Sequence, residues 1–183
     1  MESETKWGKI QVYTGNGKGK TTASLGLAIR AAGRNKKVAI IYFDKGGDNY
    51  GERKILDRLK GEMDYFVFGR NRIDPVTNKF EFGVKEIDKE EGQKALAKAK
   101  ELLTKQTYDL IILDEVNSSL ALGIFELEDL LAILEFKTEN TELVLTGRDA
   151  HAEILARADL VTEMTLVKHY FYSGVSAREG IEY

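Results

Sequence analysis

Lys20 and Thr21 close the run Gly15-Asn16-Gly17-Lys18-Gly19-Lys20-Thr21-Thr22, which directly follows the apolar stretch Ile10-Gln11-Val12-Tyr13. A glycine-rich turn ending in Gly-Lys-Thr between a strand and a helix is a phosphate cradle. Its backbone N–H groups converge on phosphate oxygens, the lysine adds a mobile positive charge, and the threonine hydroxyl can ligate Mg²⁺. The spacing is one residue off the standard pattern, because Thr14 stands where the first glycine belongs and Gly15 comes one step late. The loop is therefore shortened or differently wound.

A second nucleotide signal is Leu110-Ile111-Ile112-Leu113-Asp114-Glu115, an apolar strand delivering two carboxylates at its carboxyl end. Carboxylates beside a triphosphate make sense only with a cation between them, and Mg²⁺ takes few protein oxygens alongside phosphate and water. Side chains alternate along a strand, so only one of the pair faces the metal unless the chain has already turned. Thr146-Gly147-Arg148 ends another strand, and Arg148 there is either a bidentate phosphate clamp or a solvated arginine. Lys168, His169 and Arg178 add positive charge further on. His169 reads as a general acid or, more simply, as a polar surface residue, and His151 as a structural residue at a helix start.

Short apolar runs alternating with amphipathic stretches predict an α/β fold, a mainly parallel six-stranded sheet flanked by helices. Strands are expected at Ile10–Thr14, Val38–Phe43, Tyr65–Phe68, Leu110–Asp114, Leu143–Thr146 and Leu160–Met164. Helices are expected at Lys20–Ala32, Asp88–Lys105 and Glu126–Phe136 from their apolar stripes. Asp44–Arg53 reads as a mobile loop, and Gly69–Gly83, which holds Pro75, has no clear period. Both follow strands and belong on the phosphate-loop side, where open α/β sheets bind ligands. With no repeat or linker, residues 1–183 read as one domain.

Composition narrows the chemistry. The chain has no cysteine, which excludes disulfides, thiolate metal sites and cysteine nucleophiles. A net charge of −3 gives no reason to expect nucleic acid as a partner. No apolar run approaches membrane-spanning length and the N-terminus lacks a signal-peptide core, so a cytoplasmic protein is expected.

Together these motifs resemble the ATP:corrinoid adenosyltransferases of the P-loop type, whose fold is RecA-like. The matching segments are Tyr13 to Ala23, Phe43-Asp44-Lys45-Gly46, Leu113-Asp114-Glu115-Val116-Asn117, Leu145-Thr146-Gly147-Arg148, Ala158 to Met164, Val167-Lys168-His169 and Gly174 to Tyr183. The shortened loop is itself a trait of that family. The resemblance implies transfer of the 5′-deoxyadenosyl group of ATP to the Co(I) of a reduced corrinoid, with triphosphate expelled, in adenosylcobalamin biosynthesis or salvage. It implies that Lys20, the amides of residues 15–22 and Mg²⁺ held by Thr21 and Glu115 stabilise the leaving triphosphate. Asp114 would support the metal from behind, with Lys45 and Arg148 as further clamps. It also implies a homodimer, an N-terminal lid here reduced to Trp7 and its neighbours, and a flavin-dependent or flavodoxin-like electron donor.

One stretch departs from the family. Aromatic residues in a Gly-Phe-x-Trp-like pattern, which help displace cobalt's lower axial ligand, are expected just after the third strand, where this chain has Gly69-Arg70-Asn71-Arg72. Either Phe80 or Phe82 substitutes, or the protein handles a different corrinoid or lacks efficient cobalt reduction; Arg70 and Arg72 either meet carboxylates or phosphate of the corrinoid or are solvated. The alternatives to adenosyl transfer are a conventional P-loop phosphohydrolase or kinase, and a non-catalytic nucleotide or corrinoid binder.

Overall fold

The computed structural model describes residues 7–72 and 81–183. Its elements are β1 (Ile10–Thr14), α1 (Lys20–Ala32), β2 (Val38–Tyr42), α2 (Glu52–Leu56), β3 (Met63–Val67), α3 (Glu86–Lys105) and β4 (Leu110–Asp114). They continue with α4 (Val116–Ala121), α5 (Leu127–Leu134), β5 (Glu142–Thr146), α6 (Ala152–Arg157) and β6 (Leu160–Glu163). The strands form one sheet in the order β3-β2-β4-β5-β1-β6, and every adjacent pair is parallel.

Alternation along the strands divides the core in two. Ala39, Ile41, Ile111, Leu113, Leu143 and Leu145 face α3, α5 and α6 on one side. Val38, Ile40, Tyr42, Leu110, Ile112 and Val144 face α1 and α2 on the other. Both faces are covered, which is why β2 and β4 read as unbroken apolar runs. Each fully buried Leu or Ile contributes about 1.5–3 kcal/mol. β6 is an edge strand, exposed at all four residues.

β1, β4 and α1 have the bounds expected from sequence. β3 begins two residues earlier than expected, because Met63 and Asp64 already pair with Val38 and Ala39. Asp64 is tolerated there because its carboxylate accepts the Tyr108 hydroxyl at 2.8 Å. The expected mobile loop Asp44–Arg53 ends in the helix α2 and is tied by Arg53, which donates to the carbonyls of Lys45 and Gly47. Trp7 packs beneath the Lys36 ammonium, 4.7 Å from the ring centroid, at the amino end of the sheet away from the phosphate loop. Pro75, Phe80 and residues 1–6 of the expected lid lie outside the described residues.

Candidate active site

Parallel strands deliver all the chemistry-bearing residues to one edge. β1 ends at Thr14, whose carbonyl accepts the Met164 N–H at 2.9 Å and whose hydroxyl accepts the Ala150 N–H at 3.2 Å. The residue in the usual place of the first loop glycine is thus still part of the sheet, and the turn spans only residues 15–19 before α1 begins. Gly15 opens it at φ +91°, where a Cβ would also stand 2.5 Å from the Met164 carbonyl oxygen, so no other residue fits.

Lys20 is buried and folded back over the loop, its Nζ donating to the carbonyls of Gly15 at 2.7 Å and Gly17 at 2.8 Å. Burial pushes this ammonium below its usual 10.5, with the Glu115 charge working in the opposite direction.

Lys45, from the loop after β2, meets three oxygens from three other elements. Its Nζ donates to Thr21 Oγ1 at 2.7 Å and Asp114 Oδ2 at 2.5 Å, and lies 3.7 Å from Glu115 Oε1. Asp114 is fully buried, and its other oxygen accepts the Thr146 hydroxyl at 2.7 Å. The two carboxylates reach the same side because the chain turns between them: Glu115 has φ +62° and caps α4. Ser118 holds the Glu115 carboxylate at 2.6 Å and accepts the Arg148 N–H at 2.9 Å.

These groups border a cleft of about 860 Å³, a size suited to a nucleotide-sized ligand. Asn16, Gly17, Lys18, Gly19, Lys20, Thr21, Thr22, Lys45, Glu115 and Arg148 all line it, whereas Gly15 and Asp114 stand behind the lining. A further wall lies outside the expected site residues, apart from His169, for which a general acid is one reading. Leu166, His169, Phe171, Tyr172 and Gly180–Tyr183 line the cleft too, together with Tyr50, Gly51 and Glu52.

That wall is fastened to the phosphate loop through Lys18, whose Nζ donates to Glu182 Oε1 at 2.7 Å, the Ile181 carbonyl at 3.1 Å and the Tyr170 hydroxyl at 3.2 Å. Hydrogen bonds from Arg178, Lys18 and Tyr170 hold the Glu182 carboxyl far below the usual carboxylate range. The charge of Lys18 therefore serves the tail as well as the loop. His169 uses Nδ1 to accept the Phe171 N–H at 3.1 Å, and His151 does the same for Glu153 at 3.2 Å, starting α6.

Arg70 and Arg72 are neither solvated nor in the cleft lining. Arg70 Nε donates to Asp88 at 3.0 and 3.3 Å, and its Nη1 to Glu81. Arg72 Nε donates to both oxygens of Asp44, and its Nη1 to the Gly83 carbonyl at 2.9 Å. Asp88 in turn accepts the Lys85 N–H at 2.7 Å at the start of α3. The arginines thus pin the segment after β3 between the α3 terminus and the loop carrying Lys45. The two loops touch backbone to backbone, and a Cβ on Gly46 would lie 2.3 Å from the Gly69 carbonyl oxygen. Phe66 packs against the core, while Phe82 is exposed.

The fold and this loop define a RecA-like P-loop α/β protein. A solved structure with the same fold is the flagellar accessory protein FlaH from Methanocaldococcus jannaschii, with a TM-score of 0.53 and 12% identity over 85% of this chain and 70% of that one. The family model for ATP:corrinoid adenosyltransferase BtuR/CobO/CobP matches residues 6–183. The corrinoid adenosyltransferase of Pseudomonas aeruginosa is 35% identical over 96% of this chain and 84% of its own. That of Escherichia coli K12 is 35% identical over 100% and 89%. The chain belongs to the ATP:corrinoid adenosyltransferase family and is an enzyme of that class.

Proposed function

We propose that the enzyme transfers the 5′-deoxyadenosyl group of ATP to the Co(I) of a reduced corrinoid. The cobalt electron pair forms a bond to C5′ of the ribose, the C5′–O bond breaks, and its electron pair leaves on the triphosphate. The observation that carries this reading is the short loop itself, with Lys20, Lys45 and Arg148 grouped beside Glu115 at one cleft in a chain matched by the family model over residues 6–183.

The demand on the protein is to stabilise negative charge gathering on the departing triphosphate, which preformed cations and N–H dipoles do best in a site shielded from water. Lys20 leaves the Gly15 and Gly17 carbonyls for phosphate oxygens, and the amides of residues 15–22 orient the chain of phosphates. Arg148 and Lys45 clamp it from the far side. Among the described residues no group of three or more His, Cys, Asp or Glu gathers to hold a metal alone. The donors at the loop nevertheless suit Mg²⁺, because Thr21, Asp114 and Glu115 aim hard oxygens at one ammonium and phosphates complete such a shell. Thr21 and Glu115 would hold the ion, with Asp114 behind them. When bound it supplies Lewis-acid neutralisation of the leaving group.

The same reading takes the enzyme as a cytoplasmic homodimer fed electrons by a flavin-dependent or flavodoxin-like donor. No helix among the described residues is long and apolar enough to cross a membrane. With Arg70 and Arg72 locked in ion pairs, residues 69–72 offer no aromatic wedge, so reduction of Co(II) is the weak step of this enzyme. The test is to supply Mg-ATP with either chemically reduced cob(I)alamin or cob(II)alamin plus a reduced flavin, and to follow the visible spectrum. Adenosylcobalamin forming rapidly from Co(I) and slowly from Co(II) is expected. No adenosylcobalamin from Co(I) contradicts the reading.

A further inference from the structure

Lys45 is a buried cation whose partners among the protein's own oxygens differ from its proposed place on triphosphate. Its ammonium touches Thr21 Oγ1 and Asp114 Oδ2 and faces Glu115 Oε1, the oxygens that the metal reading needs. The Lys45 side chain is 13% exposed and that of Asp114 is 0% exposed. A buried carboxylate without a partner is strongly unfavourable, so Asp114 requires a cation beside it. A tethered one is always at hand, since its effective concentration is set by a single side chain.

The surroundings fix the Lys45 backbone while leaving its stem a choice. Arg53 donates to the Lys45 carbonyl and stacks on the Tyr50 ring at 4.7 Å, and the Lys45 N–H donates to Phe68 at 3.4 Å. From that anchor Lys45 also lines the cleft, beside Lys20, Glu115 and Arg148.

We infer that Lys45 is a resident placeholder cation: its ammonium and a divalent ion exclude each other at Thr21 and Glu115, so the metal enters with the nucleotide and Lys45 passes to the phosphates. The inference rests on the metal reading above. Free Mg²⁺ sheds water reluctantly and must displace a tethered ammonium from oxygens it already neutralises. A metal–nucleotide complex brings its own negative charge, which gives the displaced ammonium a second anion to bind. The plain alternative is a fixed ion pair that merely joins β4 to the neighbouring loop and stays in place when nucleotide binds.

Mn²⁺ titration of the nucleotide-free protein, followed by the EPR signal of the free ion, separates the two. Lys45→Met is expected to bind Mn²⁺ roughly tenfold more tightly than the wild type, because a competing charge at contact distance has gone. Adding Glu115→Gln to that variant should cancel the gain. Equal affinity for wild type and a folded Lys45→Met overturns the inference. Lys45→Gln serves if the methionine variant does not fold. In the wild type, the Lys45 Nζ resonance, assigned through Lys45→Arg, should shift when Mg-ATP is added. An unmoved Nζ resonance alongside shifted amides of the loop would also overturn it. No corrinoid is used, so failure of adenosyl transfer and failure of this inference are read separately.

Discussion

The Arg72 Nε donates to both carboxylate oxygens of Asp44, at 2.9 and 3.0 Å, joining the segment after β3 to the residue next to Lys45. Arg72 and Asp44 are 9% and 14% exposed in their side chains, and Arg72 also lies 3.7 Å from Asp88. Breaking one side of a buried pair leaves an uncompensated charge. Arg72→Leu should therefore lower stability to urea by about 3 kcal/mol. The exchange of Arg70→Phe with Arg72→Trp, which restores the family's aromatic pattern, should cost at least as much. Turnover from cob(II)alamin should not improve in that exchange unless Asp44 and Asp88 are neutralised too.

The pH dependence of that loss has a definite sign. Burial pushes the Asp44 carboxyl above its usual 3.8, against the pull of Arg72. An acid whose folded pKa is raised contributes stability below the unfolded value and loses it as pH rises through the folded one. Without Arg72 the Asp44 value rises further, so Arg72→Leu should be less destabilised near pH 4 than at pH 7. Urea titrations at the two pH values give the comparison, and an equal loss at both contradicts it.

Lys20→Ala removes the cation of the loop while leaving the sheet untouched. Turnover should fall by about a hundredfold or more, the scale seen when a preorganised charge-stabilising donor is lost. Thermal unfolding should stay near that of the wild type, since Lys20 bonds only to loop carbonyls. Near-normal activity would mean that the phosphates sit elsewhere.

Lys20 also gives ATP binding a proton linkage. Its ammonium is held below 10.5, mainly by burial, and triphosphate favours the charged form. Binding in the alkaline window between the lowered free value and the raised bound value should take up protons. Calorimetry in two buffers of different ionisation enthalpy measures that uptake. Affinity should weaken as pH rises through the free-site value, and Lys20→Ala should abolish the uptake.

Glu182→Gln tests the wall that sequence reasoning missed. The carboxylate joins Lys18 to Arg178 and to the Tyr170 hydroxyl, whose ring lies 4.7 Å from the Arg178 guanidinium. Loosening it should raise the KM for ATP severalfold with a smaller effect on kcat, because the wall shapes the cleft rather than the bond that breaks. A change confined to kcat would place Glu182 closer to the chemistry.

What was legible in the sequence follows from local rules. β1, α1 and β4 carry their own periodicity and punctuation, and their bounds are those expected. The short helices α2, α4 and α6, of five and six residues, are too brief to show a period. The loop residues fall at the cleft because a phosphate loop is a contiguous motif. The wall formed by Gly180–Tyr183 does not announce itself, since its contacts to Lys18 span more than 160 residues. The fate of Arg70 and Arg72 was equally hidden, because their partners Asp44, Glu81 and Asp88 come from three separate segments.

The most direct test of the central claim is the identity of the phosphate product. Mg-ATP and chemically reduced cob(I)alamin, incubated with the enzyme under anaerobic conditions, should yield adenosylcobalamin and inorganic triphosphate in equal amounts by ³¹P NMR. Orthophosphate or ADP released without dependence on corrinoid would contradict adenosyl transfer and return the short loop to ordinary phosphoryl chemistry.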